Sequence, residues 1–153
     1  MDSYLLRTNE PSNEQNLGRR GIKMILLIGG VLGFISVAFG AYAEHGLREA
    51  ISEEHFRFLM TAVRYNQVHA VVTVAIGLCI TSGIRPLQSS LLHWSGKLFI
   101  LGTALFSFSI YLSVVLNSPK LVNVTPFGGV IIMLAWILLA IYGYKSLTQN
   151  HDR

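Results

Sequence analysis

Charged side chains are scarce in this chain of 153 residues. Asp, Glu, Lys and Arg make up 13% of the sequence, about half of their usual share in a soluble domain. Four long stretches contain none of them: Met24–Ala43, Tyr65–Ile84, Leu98–Pro119 and Leu121–Tyr144. A soluble fold would have to bury all four stretches with too few polar residues to cover them. The composition therefore argues against a soluble globular protein.

Cysteine and the common catalytic motifs are also scarce or absent. The single cysteine, Cys79, cannot form an internal disulfide, and a zinc site would need more ligands. The sequence contains no Gly-x-Ser-x-Gly elbow, His-Glu-x-x-His pair or phosphate-binding glycine loop. The net charge of +4 does not indicate nucleic acid, because the basic residues flank apolar stretches and form no patch interleaved with aromatics. We therefore expect no enzymatic activity, cofactor, metal or nucleic-acid partner.

The charge-free stretches are each long enough to cross a bilayer, which takes about 20 apolar helical residues. They predict an all-α integral membrane bundle of four transmembrane helices, near residues 22–43, 64–84, 97–116 and 124–145. The transmembrane domain then covers residues 22–145. We expect a disordered polar tail over residues 1–21 and a short polar tail over residues 146–153.

The segment between spans one and two has the pattern of an amphipathic helix. Ser52 suits an N-cap, and two glutamates follow it where the helix dipole favours negative charge. An apolar stripe at helical spacing is formed by Phe56, Leu59, Met60 and Val63. We predict a short amphipathic helix within residues 47–63 at the membrane surface. The alternative is an N-terminal extension of the second span.

The distribution of Lys and Arg predicts the orientation. If the N-terminus is cytoplasmic, the cytoplasmic segments hold eight of them: Arg7, Arg19, Arg20, Lys23, Arg85, Lys97, Lys145 and Arg153. The opposite side then holds only four: Arg48, Arg57, Arg64 and Lys120. Because positive charge is retained on the cytoplasmic side, both termini are predicted to be cytoplasmic.

Small residues predict how the spans pack. Without a hydrophobic drive between helices in lipid, close contact of small side chains holds them together. The first span has Gly29, Gly33 and Gly40 on one face, and the fourth span begins with Gly128 and Gly129. These faces predict an intramolecular bundle, although the same faces also suit a homo-oligomer.

Polar side chains inside the spans form a predicted layer. The four-span topology brings the end of span one, the start of two, the end of three and the start of four to the outer side. The candidate polar layer consists of His45, Tyr65, Asn66, His69, Ser107, Tyr111 and Thr125. Because unpaired polar groups are costly in lipid, we expect Tyr65 and His69 to face the bundle interior near Tyr111 or Thr125.

Three interpretations of this layer remain open. The first interpretation is a structural network that fixes helix register, as interhelical hydrogen bonds commonly do. The second interpretation is a proton- or ligand-responsive site, because histidine titrates near neutral pH. The third interpretation is a metal or haem site built on His45 and His69. Two histidines without a cysteine or carboxylate at ligand spacing are a weak signal for such a site.

Four short motifs, taken in order, resemble a known family. They are residues 40–47 (GAYAEHGL), 62–70 (AVRYNQVHA), 106–111 (FSFSIY) and 125–129 (TPFGG), with Trp136 downstream. Their pattern is similar to that of a family of small membrane proteins called domain of unknown function 423, whose bacterial members are YgdD-like inner-membrane proteins.

The resemblance implies a multi-pass protein of the inner (plasma) membrane with no established activity. We expect a structural or accessory membrane component whose partner is the lipid bilayer, with a membrane-protein partner or homo-oligomer as a further possibility. The alternative is a small transport or sensing module that uses the outer polar layer around His45, Tyr65 and His69.

Overall fold

The computed structural model describes residues 13–82 and 89–149. Within those two ranges the regular structure is entirely helical and contains no strand. Four helical segments are long and apolar enough to cross a membrane: Lys23–Leu47, Glu53–Thr81, Ser90–Val115 and Pro119–Thr148. The predicted all-α architecture with four spans is confirmed.

The first span is α1, Asn13–Tyr42, followed by a π-helical turn, Ala43–Leu47. The helix begins within the tail that was predicted to be disordered, so residues 13–21 are helical. No proline stands between Pro11 and Pro86, and a helix that is already nucleated by a long apolar segment extends at little cost. The remainder of the predicted tail, residues 1–12, lies outside the described residues.

The second span is α2, Glu53–Thr81. Its N-terminus is capped as predicted, since the Ser52 hydroxyl accepts a hydrogen bond from the His55 backbone N–H at 3.3 Å. The prediction of a separate surface helix is wrong, because the amphipathic segment continues into the span without a break. Neither glycine nor proline occurs between residues 53 and 76, so nothing in the sequence interrupts the helix.

The third span consists of α3, Ser90–Thr103, a π-helical turn, Ala104–Phe108, and α4, Ser109–Val115. It ends in a Schellman motif. Asn117 has a φ of 47°, and the Ser118 backbone N–H donates to the Ser113 carbonyl at 2.9 Å. Asparagine tolerates this left-handed conformation, which allows the chain to turn sharply.

A short 3₁₀ helix, Pro119–Val124, leads into α5, Thr125–Gln149, the fourth span. The beginning of the predicted C-terminal tail, residues 146–149, is therefore helical, and residues 150–153 lie outside the described part. The short connection makes the third and fourth spans antiparallel neighbours.

Two pairs of helices pack through glycine. A Cβ atom added at Gly29 would lie 3.0 Å from the Val74 backbone nitrogen on α2, and one at Gly40 would lie 3.2 Å from the side chain of Val63. A Cβ atom at Gly33 would make an ordinary contact of 3.8 Å with Ala70. The predicted face of α1 therefore packs against α2 within the same chain.

Helices α3 and α5 approach each other even more closely. A Cβ atom at Gly102 would lie 3.0 Å from the Gly128 carbonyl oxygen. One at Gly128 would overlap the Phe106 backbone nitrogen, whereas one at Gly129 would lie 3.9 Å from the Phe106 ring. The predicted glycines of span four are thus used for intramolecular packing, with Gly128 at the crossing point.

Candidate functional site

His69 on α2 is the polar side chain that joins three spans. It is only 5% exposed, and its ring packs on Phe99 of α3 with 5.6 Å between ring centroids. Its Nδ1 donates to the Tyr65 carbonyl oxygen at 2.7 Å, and its Nε2 accepts from the Trp136 indole N–H of α5 at 3.4 Å. The prediction that His69 faces the interior is confirmed, although its partner on span four is Trp136 rather than Thr125.

These partners determine which tautomer of His69 the structure contains. A carbonyl oxygen only accepts and an indole N–H only donates, so the proton lies on Nδ1 and the lone pair on Nε2. A metal at Nε2 would have to displace Trp136. Among the described residues, no group of three or more His, Cys, Asp or Glu side chains is placed to hold a metal ion.

Tyr65 lies one helical turn before His69 and is partly exposed. Its ring stacks on Phe106 with 4.5 Å between centroids, yet 43% of the residue remains exposed. Tyr65 was expected to face the bundle interior near Tyr111 or Thr125; its ring does contact the third span, but through Phe106, and the residue remains partly exposed. A phenol has an apolar ring and a polar tip, so it can cover Phe106 while its hydroxyl stays at the periphery.

Beside these residues, an open groove of about 490 Å³ runs between α2 and α5. Phe106 from the π-helical turn of span three forms its floor. The polar part of its lining is Arg64, Tyr65, His69 and Trp136, and the apolar part includes Val68, Ile132 and Met133. Arg64 is the last charged residue before the charge-free part of α2, so it marks the rim of the groove at the membrane edge. We call this site the α2–α5 groove.

The other predicted polar residues lie in separate buried contacts. Asn66 donates to the Tyr111 hydroxyl at 3.4 Å, and the Ser107 hydroxyl donates to the Ala62 carbonyl at 3.0 Å. Both contacts join span two to span three. The side-chain amide oxygen of Asn66, Oδ1, is buried and has no hydrogen-bond partner among the described residues.

Thr125 joins spans three and four, since its hydroxyl lies 2.7 Å from that of Ser109. Near the other end of the bundle, the buried Ser95 hydroxyl donates to the Ala135 carbonyl at 2.9 Å. Sequence reasoning did not identify Ser95, because a single serine in an apolar helix carries no distinctive pattern.

His45 does not belong to the layer that was predicted for it. It lies exposed on the π-helical turn that follows α1, in a polar depression with Glu44 and Arg48, which form an ion pair. No contact joins His45 to His69. The prediction is wrong here because position near one end of a span does not determine whether a side chain faces the bundle or the solvent.

The sequence also gave no indication of the groove. Arg64 was counted only for orientation, and Trp136 was noted only as a residue downstream of the family motifs, whereas it is 43% exposed and borders the groove. The π-helical turn beneath the groove has no recognisable sequence signal. Such turns are rare and are often found at functional sites.

The comparisons with known proteins agree with this architecture. A family model described as protein of unknown function (DUF423) matches residues 39–129. The chain is 30% identical to a UPF0382 membrane protein of Staphylococcus aureus over 124 residues, which covers 81% of this chain and 98% of that relative. It is 31% identical to a UPF0382 membrane protein of Haemophilus influenzae, covering 74% of this chain and 88% of that relative.

A third relative is the UPF0382 inner membrane protein YgdD of Escherichia coli. The identity is 28% over 119 residues, which covers 78% of this chain and 88% of that relative. No solved structure matches the chain.

Proposed function

The chain belongs to the DUF423 family of membrane proteins, a family without a named activity, and we propose that it is an accessory membrane component that binds a lipid molecule in the α2–α5 groove. The supporting observation is the position of this groove. Its lining residues belong to the second, third and fourth spans, and we therefore expect its opening to face bilayer lipid.

The lining of the groove matches an amphipathic molecule. Arg64 and Tyr65 stand at one end, and exposed apolar side chains from both walls follow towards His69 and Trp136. Val68 is 53% exposed and Met133 is 58% exposed, although both lie beside a concave surface. A lipid with its polar part near Arg64 would cover these side chains with its hydrocarbon.

The chemistry of the groove supports a binding role rather than catalysis. No serine, cysteine or carboxylate lines it. Both ring nitrogens of His69 already have partners, so a proton transfer through this side chain would first break its contact with Tyr65 or Trp136. We therefore propose a non-enzymatic role, in which His69 holds the wall of the groove in place.

We further propose that the protein resides in the plasma (inner) membrane with both termini in the cytoplasm. The excess of Lys and Arg in the N-terminal, second-connection and C-terminal segments supports this orientation. A C-terminal fusion to a reporter that is active only outside the cytoplasm should be inactive, and an active fusion would contradict the orientation. With this orientation, the groove opens to the outer leaflet.

Retention of lipid by the purified protein tests the binding role. Native mass spectrometry in a mild detergent should show a retained lipid, and Val68→Phe should reduce its occupancy because the larger ring fills the groove. Val130→Phe is the matched control, since Val130 is 50% exposed on α5 but does not line the groove. Equal occupancy in the two variants would contradict the proposal. The same spectra report whether the protein is a monomer or a homo-oligomer.

A further inference from the structure

The α2–α5 groove contains a cation at its rim and no acidic side chain. Arg64 lines the groove and makes no ion pair with any side chain in residues 13–82 or 89–149 that the structure describes. The one ion pair in that part of the chain joins Arg48 to Glu44, on the turn after α1. The charge of Arg64 is therefore available to a molecule that enters the groove.

The position of Arg64 suits a phosphate group. His69 lies five residues further along α2, which places the buried polar end of the groove about 7–8 Å deeper in the membrane than Arg64. Arg64 is thus near the level of lipid headgroups, and the apolar wall lies at the level of the upper acyl chains. Guanidinium binds phosphate through two parallel hydrogen bonds, which gives it an advantage over other cations.

Tyr65 adds a second donor beside Arg64. Its hydroxyl has no hydrogen-bond partner among the described residues, while its ring is held against Phe106. A partly exposed tyrosine next to an arginine at the membrane edge is able to donate to a phosphate or ester oxygen.

We propose that the occupant of the groove is an anionic phospholipid whose phosphate is bound by Arg64 and whose acyl chain lies along Val68 and Met133. This inference rests on the proposed lipid-binding function. An anionic headgroup is favoured over a zwitterionic one, because the groove offers a cation to the phosphate but no carboxylate to a headgroup amine.

Tryptophan fluorescence tests this assignment in the full-length protein. The chain has two tryptophans, so Trp94→Phe leaves Trp136, which lines the groove, as the single fluorophore. The protein is placed in bilayers that contain brominated phosphatidylglycerol or brominated phosphatidylcholine at the same mole fraction. Brominated phosphatidylglycerol should quench Trp136 more strongly than brominated phosphatidylcholine. The difference should correspond to an affinity for the groove that is about five-fold higher for phosphatidylglycerol, the scale expected for one basic residue at an anionic membrane surface.

Arg64→Gln should remove the preference for phosphatidylglycerol, because the anionic lipid then loses the only cation among the described residues that line the groove. Arg57→Gln is the matched control, because Arg57 lies two turns earlier on the same helix face and does not line the groove. It should keep the preference. Loss of the preference in both variants would show a general surface-charge effect and would overturn the assignment to Arg64.

The remaining outcomes separate the two proposals. If both lipids quench Trp136 equally and Val68→Phe reduces that quenching, the anionic assignment is overturned and the lipid-binding function stands. If both lipids quench Trp136 equally and Val68→Phe leaves that quenching unchanged, both the anionic assignment and the lipid-binding function are overturned. Inorganic phosphate should not reduce the preference more than sodium chloride of the same ionic strength, and selective competition by phosphate would overturn the lipid as the occupant.

Discussion

The crossing of α3 and α5 makes Gly128→Ala the most informative single change in this bundle. The added methyl group would overlap the backbone nitrogen of Phe106 and lie 2.8 Å from the carbonyl oxygen of Gly102. These are backbone atoms, so no side chain can rotate away and the two helices must separate. Overpacking of this kind costs about 1–3 kcal/mol, and the higher helix propensity of alanine returns up to about 1 kcal/mol. We expect a net loss of about 1–2 kcal/mol.

Gly143→Ala is the matched control for this change. It makes the same substitution on the same helix, but no atom lies within 4 Å of the position of the new methyl group. Thermal unfolding in detergent should therefore show a midpoint several degrees lower for Gly128→Ala and an unchanged or slightly higher midpoint for Gly143→Ala. Equal midpoints for the two variants would refute the conclusion that close backbone contact at Gly128 holds α3 against α5.

Two further substitutions test the polar contacts between spans, using the same unfolding measurement. His69→Ala should cost about 1 kcal/mol, the scale of interhelical hydrogen bonds in membranes, and His69→Gln should cost less because its amide oxygen can still accept from Trp136. A larger loss in His69→Gln than in His69→Ala would contradict this role. Ser107→Ala should cost about 0.6 kcal/mol through loss of its bond to the Ala62 carbonyl, and an unchanged midpoint would show that this contact contributes nothing.

Several buried contacts between the spans maintain the shape of the α2–α5 groove. His69 and Trp136 connect the two walls, and the Gly128 crossing sets how closely α5 approaches the floor at Phe106. A membrane protein cannot rely on apolar burial to hold such a shape, because lipid solvates apolar side chains as well as another helix does. Close backbone packing and hydrogen bonds must therefore maintain the open groove.

Local predictions from the sequence were accurate where the cause was local. Ser52 caps α2 because its hydroxyl reaches a backbone N–H three residues ahead, which depends only on nearby geometry. The glycine face of α1 follows from helical periodicity, and it packs as predicted. The predicted ends of the helices were less accurate, because a helix continues into polar sequence where no proline stops it, as at residues 13–21, which tolerate two glycines, and at residues 53–63, which contain neither glycine nor proline.

The sequence by itself determined that four apolar helices are present, because a charge-free stretch of about 20 residues must satisfy its backbone hydrogen bonds internally in lipid. It also determined that His69 faces inward, since an unpaired imidazole in lipid is costly. Only the tertiary structure decided that His69 meets Trp136, that His45 lies apart and that Arg64 borders a groove. These contacts depend on the rotation and axial offset of one helix against another, and periodicity along a single helix does not specify either of them.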